Sequence, residues 1–159
     1  DEDLGFEDDL FFGDDGEEKK ITANEKSIIA IAVKVFRRCN RLVKTHCQAC
    51  VALPDSLSKS QTKLADSFVE QSNKILSKIT DIGCCLYIPI NKESCDEIKT
   101  HCESMLQLVK TSNSMLMEVP AIKDDDKIVK RVSDVVCGEL REALCELQNC
   151  KYLIERDEE

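Results

Sequence analysis

Residues 28–50 read IIAIAVKVFRRCNRLVKTHCQAC, and this stretch constrains the fold more than any other. Ile28, Ala32, Val35, Cys39, Leu42 and His46 recur at spacings of three and four, and Ile29, Val33, Phe36, Val43, Cys47 and Cys50 widen the same stripe. Lys34, Arg37, Arg38, Arg41 and Lys44 collect on the opposite side. That period belongs to an amphipathic helix with a broad apolar face. Removing apolar area from water stabilises by about 25 cal/mol per Å², so the rest of the chain must cover this face.

The remainder supplies three more stripes. The first helix is predicted from about Asn24 to Ala52, with Thr22 or Asn24 as cap, and Pro54-Asp55-Ser56 breaks it. A second helix runs from about Ser60 to Thr80 or a little beyond, its inner face marked by Leu64, Phe68, Ile75, Ile79 and Ile82. Gly83 and the segment Cys84 to Pro89 end it, because Pro89 disfavours helical geometry at Ile88. Ser94-Cys95-Asp96-Glu97 has the form of a capping box for the third helix, with Asn91 as a rival cap. Its inner face is Cys95, Ile98, Cys102, Met105, Leu106, Val109 and Leu116, and Pro120 closes it. Asp124, Asp125 and Asp126 suit the positive end of a fourth helix, which extends to about Arg156. Ile128, Val132, Val136, Leu140, Ala143, Leu147, Cys150 and Ile154 line its inner side. Gly138 within it costs about 1 kcal/mol of helix propensity and would permit close packing. Short connections make neighbouring helices antiparallel. The expected fold is all-α: an antiparallel up-down four-helix bundle over residues 21–159, preceded by an acidic tail over residues 1–20.

The net charge of −9 is unevenly spread, because residues 1–20 hold ten acids and two lysines. They read DEDLGFEDDLFFGDDGEEKK and include Leu4, Phe6, Leu10, Phe11 and Phe12. Dense like charge and three glycines oppose a stable isolated helix. Two readings stand: a solvated linker, or an acidic-hydrophobic docking segment that orders on a partner. The acidity argues against nonspecific nucleic-acid binding by the whole chain. No apolar run is long enough to cross a membrane, and no basic-then-apolar signal segment opens the chain. The start at Asp1 is expected to mark a piece of something longer.

Ten cysteines is a high count, but most fall at core positions of helical patterns. Free cysteine behaves there as a small hydrophobe. A reducing compartment, cytosol or nucleus, is therefore expected. His46-Cys47-Gln48-Ala49-Cys50 is the strongest local metal signal, with His101-Cys102 as further candidate ligands. Cys47 and Cys50 also continue a helical stripe, and they lie at a helix end rather than the helix start that would activate a redox thiol. No phosphate loop, nucleophile elbow or paired-histidine zinc motif appears, so neither enzyme activity nor a cofactor or metal is expected.

The basic row Lys34, Arg37, Arg38, Arg41 and Lys44 has three readings. It is a solvated face, a receptor for an acidic partner or this chain's own tail, or a nucleic-acid contact, the last weakened by missing aromatic interleaving. Together with Leu4, Phe6, Leu10, Phe11 and Phe12 these residues form the candidate partner-binding set.

The order of pieces resembles one family. Leu4-Gly5-Phe6 and Asp9-Leu10-Phe11-Phe12 precede a helix opening with Ile28-Ile29 and carrying Val35-Phe36-Arg37-Arg38-Cys39, and Leu86-Tyr87-Ile88-Pro89 follows the second helix. This looks like the C-terminal half of the cyclin-D-binding, or cyclin-D-interacting, protein family, over residues 1–119. The resemblance implies a bundle related to those of vinculin, α-catenin and talin. It implies a nonenzymatic regulator in nucleus and cytoplasm that binds D-type cyclins and signalling adaptors and damps cell-cycle transcription. The N-terminal half of that family is absent here, and the cysteine load is unusual. A cytoskeletal adhesion bundle and a zinc or redox protein using Cys47 and Cys50 are the rival readings.

Overall fold

A computed structural model describes residues 21–54 and 56–150. The predicted tail contacts at Leu4, Phe6, Leu10, Phe11 and Phe12, and the stripe position Ile154, lie outside the described residues.

Helix α1 spans Ala23–Val51. Thr22 is its cap: Thr22 Oγ1 accepts from the Glu25 backbone N–H at 3.1 Å, and Glu25 Oε2 accepts from that of Thr22 at 2.9 Å. This reciprocal pair satisfies two donors that a helix start leaves open. Ile28, Ala32, Val35, Cys39, Leu42 and His46 are buried, as their spacing predicts. Cys47 is a correction: it is exposed. Successive residues turn by about 100°, which puts Cys47 on the flank of the stripe, in line with exposed Asn40.

Helix α2 spans Lys59–Cys84 behind a second capping box, Ser58 with Gln61. Phe68, Ile75 and Ile82 are buried, while Leu64 and Ile79 pack partly covered against the core. Gly83 does not end the helix; it sits in its last turn. The connection that follows contains a cis Ile88–Pro89 peptide and delivers Ile90 into the core. Helix α3 spans Lys92–Leu116 and is capped by Asn91, not by Ser94. Asn91 Oδ1 accepts from the backbone N–H and the hydroxyl of Ser94, at 2.8 and 3.0 Å. Ser94 thus spends its hydroxyl as a donor to the true cap.

Pro120 does not close α3. It opens a one-turn helix α4, Pro120–Lys123, where a missing N–H costs nothing. Helix α5, Asp126–Lys130, starts at Asp125, whose Oδ1 accepts from Lys127 and Ile128 backbone N–H groups at 2.9 and 3.3 Å. A π-helical segment, Arg131–Gly138, links it to α6, Glu139–Gln148, and the junctions keep right-handed helical backbone. The last rod is therefore continuous but locally wide. A Cβ on Gly138 would stand 3.0 Å from the carbonyl oxygen of Ser133, five residues back. The close approach allowed by this glycine is thus to its own π turn, the site where such segments bond i to i+5. The wide turn also shifts the stripe. Val132, Val136, Leu140, Ala143 and Leu147 are buried as predicted, and so are their neighbours Cys137 and Leu144. Ile128, upstream of the shift and in the first turn, is 38% exposed, contrary to its predicted inward position.

Helix α1 packs on α2, α2 on α3, α3 on the π segment and α6, and α6 back on α1. One apolar core runs through all of them. Among the described residues there is no strand, and the molecule is an all-α helical bundle.

Candidate interaction surface

Three buried polar groups lock the helices together. Glu25 Oε1 accepts the Ile90 backbone N–H at 2.9 Å, joining the start of α1 to the α2–α3 connection. Burial disfavours its charge, but the bonds from the Thr22 backbone, the Ile90 backbone and the Thr22 hydroxyl outweigh this and hold the carboxyl below the usual range. Gln71 Nε2 of α2 donates to the Leu108 carbonyl of α3 at 2.9 Å. His46 Nδ1 lies 2.9 Å from Ser72 Oγ, and its ring meets Phe68 with centroids 5.3 Å apart. His46 is fully buried, and desolvation lowers its pKa to about 4.

The sulfur chemistry is muted. Burial pushes the Cys39, Cys102 and Cys150 thiols up to about 12 and Cys137 up to about 11. Cys85 is pushed up to about 11, first by burial and then by Glu97 beside it. Such thiols carry almost no nucleophilic thiolate at neutral pH. Cys47 is exposed and Cys50 half-buried at the C-terminal end of α1. His101 lies elsewhere, 3.5 Å from Lys78 Nζ and 3.9 Å from Asp81 Oδ2, at the end of a shallow depression lined by α3 residues from Lys92 to Thr100. Among the described residues no group of three or more His, Cys, Asp or Glu side chains is placed to hold a metal ion.

The predicted basic row divides in two. Lys34 pairs with Glu146 at 3.0 Å, and Arg41 with Glu139 at 3.1 Å. Arg38 lies 3.9 Å from the same Glu139 carboxylate and donates to the Glu139 carbonyl. These three cations therefore stitch α1 to α6. Arg37 and Lys44, with Lys26, are exposed and make no ion pair with a described residue.

The division fixes what each flank of α1 faces. If Lys34, Arg38 and Arg41 look toward α6, the opposite flank looks toward α2. At about 100° per residue that flank carries Ile29, Val33, Phe36 and Val43, all half-buried. The same count on α2 separates two flanks. Gln71 and Lys78 contact α3, while Ser72 contacts α1. On the Ser72 side stand Val69, 59% exposed, and Leu76, 42% exposed. Helices α1 and α2 thus border an apolar groove. Lys26, Arg37 and Lys44 rim its α1 side. Its α2 lip bears uncharged Thr62, Asn73 and Thr80, with Asp66 further out. Val69 and Leu76 escape a sequence reading that looks only for inner faces. Their signal is an apolar pair seven residues apart, off the main stripe.

The chain matches no protein-family model, no curated protein and no solved structure.

Proposed function

We propose that this chain is a nonenzymatic protein-interaction module of the cyclin-D-binding kind. It receives an amphipathic segment of a D-type cyclin or a signalling adaptor in the α1–α2 groove, acting in nucleus and cytoplasm on cell-cycle transcription. The observation that carries the reading is the exposed apolar pair Val69 and Leu76 on α2, facing half-buried Phe36 and Val43 of α1, beside cations with no ion pair among the described residues. Helix-in-groove recognition uses this combination: apolar anchors for affinity, flanking charge for orientation.

The fold within this proposal is an antiparallel up-down four-helix bundle of the vinculin and α-catenin type. Support comes from contacts whose numbers run in opposite directions. Lys34 meets Glu146 while Arg41 meets Glu139. Gln71 meets Leu108 while Lys78 meets His101. Glu25 meets Ile90 while His46 meets Ser72.

The test is titration of a purified D-type cyclin against the full chain and against the double variant Val69→Asp/Leu76→Asp. Both residues are exposed, so the helix content measured by circular dichroism should hold. The expected result is at least a tenfold loss of affinity. Unchanged affinity removes the groove from the mechanism, and failure of the parent chain to bind removes the cyclin assignment.

A further inference from the structure

We propose that residues 1–20 of this chain occupy the α1–α2 groove in cis, so that a partner must displace them. The inference rests on the groove assigned above and adds its resident occupant and its regulation.

Charge complementarity carries the argument. Lys26, Arg37 and Lys44 form one lip and have no described carboxylate to answer them, whereas the other cations of α1 are paired with α6. Residues 1–20 hold ten acids against two lysines, and so carry nearly all of the chain's net charge of −9. The same segment holds Leu10, Phe11 and Phe12, three adjacent large apolar side chains between acidic runs. The groove offers a matching pattern: half-buried Phe36 and Val43 on its α1 side, exposed Val69 and Leu76 on its α2 side, cations along one edge.

Reach is ample. The segment joins the bundle at Ile21, at the foot of α1. From Ile21 to Lys44 the helix rises about 35 Å. The nine residues from Phe12 to Ile21 span up to about 30 Å when extended, so Phe12 reaches the level of Phe36, about 22 Å up the helix, and the eleven residues from Leu10 span up to about 36 Å, which reaches the level of Val43. Tethering makes the encounter intramolecular, with an effective concentration in the millimolar range for a short tether. Weak apolar contacts then suffice for occupancy, and a partner must outcompete them. Salt weakens the seat, because exposed charges are screened beyond about 10 Å at 0.1 M.

The experiment places the photo-crosslinker p-benzoylphenylalanine at Phe12 of the full chain. The chain is irradiated when dilute, and the attachment sites are located by peptide mass spectrometry. Intramolecular cross-links confined to residues 29–47 and 65–80 are expected. Their yield should fall at least threefold in Lys26→Glu/Arg37→Glu/Lys44→Glu and in 0.5 M salt. Cross-links scattered over the bundle, or an unchanged yield in the triple variant, overturn the proposal. A covalent dimer as the main product also overturns it, since the occupant is then a second copy. Cyclin titration separates this from the function proposed above. If binding depends on Val69 and Leu76 but cross-links miss the groove, only the cis seat fails. If cross-links land there but cyclin binding ignores the groove, only the partner assignment fails.

Discussion

Acidification should destabilise this bundle through His46. The ring is 1% exposed, and its pKa falls to about 4 in the folded state because burial disfavours the imidazolium. In the unfolded chain it returns to about 6.5. The unfolded state therefore binds the proton more readily, and stability drops as pH falls through 6.5 toward 4. Each pH unit in that window costs about 1.4 kcal/mol. Between pH 7.5 and pH 5 the loss assigned to His46 is thus about 2 kcal/mol. That is a large share of the ordinary stability of a domain, about 5–15 kcal/mol. Urea denaturation followed by circular dichroism, under reducing conditions at both pH values, measures it. His46→Gln keeps a hydrogen-bonding partner for Ser72 but cannot titrate. It should be less stable at pH 7.5, through lost packing on Phe68, yet lose about 2 kcal/mol less than the parent between the two conditions. Equal losses in both proteins would refute the assignment, since every other titrating group is common to them.

Two further substitutions probe the buried polar groups. Glu25→Ala removes the acceptor of three hydrogen bonds and should cost about 2–3 kcal/mol. Thr22→Ala, which loses the cap and the hydroxyl's bond to Glu25 but keeps the link to Ile90, should cost about 1 kcal/mol; equal costs from the two in urea denaturation would show that the link to Ile90 contributes nothing. The depressed carboxyl of Glu25 implies that its contribution persists above the unfolded carboxylate range and is lost as pH falls through its folded value. Ser112 is fully buried and its hydroxyl has no hydrogen-bond partner among the described residues. The carbonyl four residues back, Leu108, already accepts Gln71. Ser112→Ala should therefore raise stability by about 1 kcal/mol, and a lower urea midpoint would contradict this.

Sequence alone specified the helices and the side of each that turns inward. The six positions from Ile28 to His46 are all buried, and the stripes of α2, α3 and α6 follow their spacing with few exceptions. Helical period and capping are short-range properties, written within a few residues, so they are legible without the fold. The exceptions have local causes too. Asn91 outcompetes Ser94 as cap, and the π segment at Gly138 shifts the stripe away from Ile128.

The surface was decided by tertiary packing. Lys34, Arg37, Arg38, Arg41 and Lys44 form one basic row in the sequence, yet three of them meet acids a hundred residues away and the other two do not. Nothing within a helical turn distinguishes the two sets, because the distinction depends on which neighbour covers which flank. The same holds for Glu25 and Gln71, polar residues buried because a distant backbone group waits for them. It holds for Val69 and Leu76, apolar residues left exposed because no described element covers their side of α2. A residue's inward tilt is set by its own helix, whereas its partners are set by the order in which the helices close around one core.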